Sequence, residues 1–202
     1  MKNKLLLLLS TTTLLLACEN KPNEEVEHSE DVADTNTQEN SSKIEDDIVL
    51  FNNSVVAHTD MAEVQIAQLM ELDEQDVNAE EMIAAAEKVK LDIQDRVNDL
   101  THLKAVGNGS EDFLKAAIDH LSTVERLTDI YIDFADNLSV PDSLWNEEMG
   151  KLWLNLAEPV FLEYEDSYEL LEIAQGNFSS LNDKDLVPSF DKTLEELQEE
   201  TQ

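Results

Sequence analysis

Four histidines stand among 46 acidic residues, so carboxylate–imidazole chemistry is the first that this chain suggests. A di-iron or di-manganese centre in a helical bundle needs a Glu-x-x-His on each of two helices and a further Glu on each of the others. Asp99-Leu100-Thr101-His102 has a related spacing but no twin, and His58 and His120 follow Val55 and Ala117 by three residues. Glu25-Val26-Glu27-His28 has the spacing inside a stretch with almost nothing to bury. No metal centre is therefore expected. His58 and His120, on or beside apolar stripes, read as hydrogen-bonded core or boundary residues and not as haem ligands. Ser139, Ser143 and Ser167 have no Gly-x-Ser-x-Gly elbow to present a nucleophile. Asn182-Asp183-Lys184-Asp185 alternates oxygen ligands but lacks the Gly and terminal Glu of an EF-hand loop. The chain reads as a non-enzyme without a cofactor.

The one reactive group in a telling position is the single thiol, Cys18. Lys2 and Lys4 precede an apolar run from Leu5 to Leu16, the pattern of a signal peptide. The run is too short for a bilayer, which takes about 20 apolar residues. Leu15-Leu16-Ala17-Cys18 resembles the lipobox of bacterial lipoproteins. That resemblance implies a diacylglycerol thioether on Cys18, signal peptidase cleavage between Ala17 and Cys18, and acylation of the new amino group by a chain such as palmitate. Each buried CH₂ contributes about 0.8 kcal/mol, so two or three chains together anchor stably. In lipoproteins an Asp after the lipidated Cys favours the inner membrane, and here Glu19 occupies that place. An outer-membrane address is expected, with the periplasmic face and the cell surface both open.

The formal charge of −33 excludes a nucleic-acid binder that works through a basic surface. It also repels anionic head groups, which leaves the acyl chains on Cys18 as the contact with the membrane. One cysteine excludes a disulfide framework, and four glycines leave little for a barrel's turns or a phosphate-cradling loop.

Stepping along the chain, residues 1–17 form the leader and 18–43 a disordered acidic tether whose only apolar residues after Cys18 are Val26, Val32 and Ala33. A coil of that length spans roughly 25–30 Å. From Ile44 the apolar period is helical. Ile48, Phe51, Val55, Ala62, Ile66 and Leu69 predict a first helix. Asn78, with Glu81 three residues on, opens a second as a capping box, with Met82, Ala86, Val89, Ile93, Val97, Leu100 and Leu103 as its stripe. After Gly107-Asn108-Gly109, Ser110 caps a third that carries Ala117, Leu121, Val124, Tyr131 and Ala135. A fourth begins near Asp142 or Ser143, places Met149, Leu152, Trp153, Leu156, Val160, Tyr164, Tyr168 and Leu171 inward, and ends with Gly176 as C-cap.

These elements predict an all-α, antiparallel up-down four-helix bundle over 44–176, with 177–202 as a tail that packs on it and then frays. Phe51-Asn52-Asn53-Ser54-Val55-Val56 is similar to the start of a family of uncharacterised all-helical bacterial surface lipoproteins, a resemblance that could extend over residues 45–175. It implies a helical bundle and carries no activity. Pro159, in the middle of the fourth helix, removes a backbone hydrogen bond and predicts a kink beside Trp153, Phe161, Tyr164 and Tyr168. Those five residues are the candidate binding groove, for an apolar ligand or a protein partner. The functional expectation is an envelope lipoprotein acting as a non-catalytic binding or structural module. The alternatives are an accessory subunit of an envelope complex and, third, an enzyme of unrecognised type.

Overall fold

The computed structural model describes residues 35–75, 77–138 and 147–186, with side chains from Asp47 onward except at 73, 74 and 138. Four helices follow one another: α1 (Thr35–Glu74), α2 (Ala79–His102), α3 (Ser110–Leu138) and α4 (Glu147–Leu181). Among the described residues there is no strand. Successive helices are antiparallel, because cross-helix pairs ascend one helix as they descend the next. Gln65 meets Asp92 between α1 and α2, Lys90 and Gln94 meet Asp129 and Glu125 between α2 and α3, and Phe134 and His120 meet Trp153 and Ser167 between α3 and α4. The fold is the expected up-down four-helix bundle.

The core is the union of the apolar stripes. Ile48, Phe51, Val55, Ala62, Ile66 and Leu69 of α1 pack with Met82, Ala86, Val89, Ile93 and Leu100 of α2 and with Ala117, Leu121, Val124 and Leu127 of α3. At one end Phe51, Phe113 and Phe178 bring α1, α3 and α4 together with ring centroids 5.4–6.2 Å apart. Each such aromatic contact contributes about 0.5–1.5 kcal/mol beyond the area it buries.

The caps fall partly as expected. Asn78 does cap α2, its side-chain oxygen accepting from the Glu81 N–H at 2.9 Å. Ser110 instead lies inside α3 and donates its hydroxyl to the Gly107 carbonyl at 2.8 Å. The turn before it needs its glycines, since Gly107 and Gly109 have φ of +88° and +76°. Asn182, from the end of α4, clamps this turn by accepting from the Asn108 N–H and donating to the Asn108 carbonyl.

Three expectations change. Helix α1 starts at Thr35, so residues 35–43, assigned to the tether by composition, are helical backbone. Gly176, expected to cap α4, lies within it, and the helix runs on to Leu181. There Asp183 takes a left-handed conformation (φ 51°), and the N–H groups of Asp183 and Lys184 return to the Ser180 and Ser179 carbonyls. This two-bond arrangement satisfies the terminal carbonyls without a glycine. It also gives Asn182, Asp183 and Lys184 a place in the backbone turn that ends α4. Leu152 and Leu156, expected inside, are exposed at 61% and 63%, and Ala157 takes the inward position with Trp153. Leu186 packs against the core, and the rest of the expected tail lies outside the described residues.

Candidate functional site

The interior is not uniformly apolar. On α1, Asn52, Thr59, Asp60 and Glu63 fall along one face at spacings of seven, one and three. Asn52 and Thr59 are fully buried, Asp60 nearly so, and the Glu63 side chain is 15% exposed. Across from them α4 presents Tyr164, Ser167, Tyr168 and Gln175. Helices α1 and α4 approach least closely of the neighbouring pairs, and long polar side chains fill the gap. Gln175 donates to Asn52 at 2.8 Å, and Tyr164 donates its phenol to Glu63 Oε2.

His120 comes into this seam from α3. Its side chain is fully buried, with Nε2 2.9 Å from Glu63 Oε1 and Nδ1 3.0 Å from Ser167 Oγ. The Ser167 hydroxyl also reaches the Tyr164 carbonyl at 2.8 Å. The rings of Tyr164 and Tyr168 flank the imidazole with centroids 5.7 and 6.1 Å away. With the His120 proton on Nε2, that nitrogen donates to Glu63 and Nδ1 accepts from Ser167. Burial and the Glu63 carboxylate push the Tyr164 phenol well above its ordinary range, so it stays a donor. Tyr168 is shifted the same way, chiefly by burial, then by Glu172, Glu63 and Asp60.

Serine, histidine and a carboxylate in a row outline an acyl-transfer relay, but the surroundings do not complete one. Ser167 sits within a helix, where neighbouring N–H groups are already bonded to carbonyls four residues back and cannot hold an oxyanion. The cluster instead ties α1, α3 and α4 together through satisfied bonds.

A second polar contact lies between α1 and α2. His58 Nδ1 and Arg96 Nε are buried without hydrogen-bond partners. Burial and the nearby Arg96 lower the His58 pKa, with Asp99 opposing. Burial also lowers that of Arg96, opposed by Asp92 and Asp99. His102, of the Asp99–His102 spacing, is exposed and turns to the Asn98 carbonyl of its own helix. Among the described residues no group of three or more His, Cys, Asp or Glu side chains is placed to hold a metal ion, and no helix is long and apolar enough to cross a membrane.

The five residues of the expected groove are dispersed. Trp153 is buried against Ile130, Phe134 and Ala157, its indole N–H without a partner. Phe161 packs between that cluster and the main core. Tyr164 and Tyr168 belong to the polar seam, and Pro159 faces solvent. Ala17 and Cys18 lie outside the described residues.

An open groove of about 620 Å³ does exist, between α3 and α4 on the side of Ser167, running from there to the Gly109–Leu181 end. Leu170, Ile173 and Leu181 line it at 61%, 52% and 58% exposure.

Comparison with protein-family models, curated proteins and solved structures gives no match. The residues themselves carry the functional reading.

Glu63 and Gln175 were not singled out by sequence, and Ser167 and Asn52 were named there without this role. Their signal is faint: polar residues at core positions of an otherwise apolar period, in α1 and α4 alike.

Proposed function

We propose that this chain is a lipid-anchored protein of the bacterial envelope, held at the outer membrane through acyl chains on Cys18, whose bundle serves as a non-catalytic binding module for a protein partner. The lipobox-like Leu15-Leu16-Ala17-Cys18 supports the anchor. The observation that carries the binding reading is the outer face of α4, where Leu152, Leu156, Leu162, Leu170, Ile173 and Leu181 are each more than half exposed. Several large apolar side chains exposed along one helix are the kind of surface through which a domain meets a partner. The same face favours the second reading, an accessory subunit that completes an envelope complex.

The test pairs anchoring with capture. Cys18→Ser should abolish acyl-chain labelling and leave an unprocessed precursor. Cross-linking in intact cells should capture the same protein repeatedly with the wild type. Normal acylation of the Cys18→Ser chain would remove the anchor, and absence of any reproducible partner would remove the binding module.

A further inference from the structure

The α3–α4 groove has a floor of small side chains, Ala116 and Ala174, and walls of Leu170, Ile173 and Leu181. Between Ser167 and Leu181 it extends about 21 Å along α4 at 1.5 Å per residue, the length of roughly four helical turns. Its rim is acidic. Asp112 and Asp119 stand on the α3 side, and Lys115, the one cation among the lining residues, is held by Asp119 at 2.6 Å. On the other side, the α4 residues that line the groove are uncharged, and α4 has no Lys or Arg from Leu152 to Leu181. Asp166 and Glu169, both exposed, stand one turn before Leu170 and Ile173.

Charge decides among the occupants. A second copy would set one acidic rim against another. The chain's own segment after Leu186 brings Asp191, Glu195, Glu196, Glu199 and Glu200 against a single Lys192. An anionic bilayer carries the same sign. An apolar groove between acidic edges fits a helix that is apolar on one side and basic along both flanks, anchored at i, i+3 or i+4, and i+7.

We infer that the α3–α4 groove docks an amphipathic helix of a partner protein, about four turns long and edged with Lys and Arg. This rests on the binding-module reading and names its site and the chemistry of its partner.

The test titrates the full chain in detergent with a synthetic 15-residue helix bearing leucines on one face and lysines on both flanks. Saturable one-to-one binding is expected. A scrambled peptide of identical composition should bind at least tenfold more weakly, and a glutamate-for-lysine version should not bind. Leu170→Gln with Ile173→Gln should weaken binding at least tenfold, whereas Leu91→Gln, at an exposed leucine of α2, should leave it unchanged. Equal affinity for the scrambled peptide, or indifference to the α4 variants, overturns the inference in favour of bulk attraction to an acidic surface. A wild-type dimer that the α4 variants dissolve would assign the groove to a second copy. A tenfold gain on removing residues 187–202 would assign it to the chain's own tail. Failure of the peptide with partner capture intact would overturn the groove and spare the binding module.

Discussion

His120 and Glu63 meet at 2.9 Å from α3 and α1, two helices that run in the same direction. The second Glu63 oxygen receives the Tyr164 hydroxyl from α4, so one carboxylate joins three helices. A buried carboxylate is costly unless its oxygens are bonded, and here both are.

Removing a member should therefore cost more than one ordinary hydrogen bond. Tyr164→Phe leaves Glu63 short of a donor, and Glu63→Gln presents an amide N–H₂ to one of two donors. Each is expected to destabilise by about 1–3 kcal/mol in urea denaturation. Because both act on one network, the double variant should be less destabilised than the two single losses combined. Strict additivity would show that the cluster is not a unit.

Alkaline stability follows from the same phenol. Its folded pKa lies above the unfolded value of about 10, so its contribution is complete below that pH and is lost as pH rises beyond it. The sign is clear: above about pH 10 the unfolded chain releases the proton and the folded chain does not. Tyr164 should contribute a loss of about 1.4 kcal/mol per pH unit there. Thermal melts between pH 9 and 11.5 should be shallower for Tyr164→Phe than for the wild type.

The glycines give opposite expectations. At Gly176 an added Cβ meets nothing within 4 Å, and the residue is exposed within α4, so Gly176→Ala should stabilise by about 0.5–1 kcal/mol. At Gly107 the Cβ would lie 2.7 Å from Asn182 Oδ1 with φ at +88°, so Gly107→Ala should lower the melting temperature. Equal effects would mean that the α2–α3 turn does not need its left-handed geometry.

The contrast between those glycines also shows how far the sequence could be read. Helix number, order and most of α1, α2 and α3 follow from a 3.6-residue apolar period that tertiary packing then uses. Asn78 was legible because a capping box is local. Helix α4 was less so, because it carries leucines on two faces, and a period alone cannot tell Leu152 and Leu156 from Trp153 and Ala157. Gly176 resembled a cap by type, but the left-handed position went to Asp183. His120 was legible as a bonded core histidine. Its partners were not, since Glu63 and Ser167 are 57 and 47 residues away and nothing local announces them.

Acid should act through His58. Its pKa is lowered chiefly by burial and then by Arg96, with Asp99 opposing, so the unfolded chain takes up a proton that the folded chain resists. Its share of stability is present above about pH 6.5 and is lost as pH falls below. Between pH 7 and 5, His58→Gln should flatten the decline in melting temperature. An unchanged slope would mean that His58 is solvated enough to titrate freely.

The bonds of the α1–α4 seam set an order of assembly. Lys90–Asp129 and Gln94–Glu125 close over 39 and 31 residues, whereas Tyr164–Glu63 and Gln175–Asn52 close over 101 and 123. Each doubling of loop length adds about 0.6 kcal/mol of closure entropy, so the α2–α3 hairpin forms more cheaply than the seam. Gln65–Asp92 likewise closes over 27 residues and His120–Ser167 over 47, so contacts between successive helices all close more cheaply than those between the first and the last. Until α4 meets α1, the Asn52–Gln175 and Glu63–Tyr164 bonds are unmade. A chain interrupted before α4 would keep a wet, unsealed face on α1, so the seam acts as a checkpoint for completed folding.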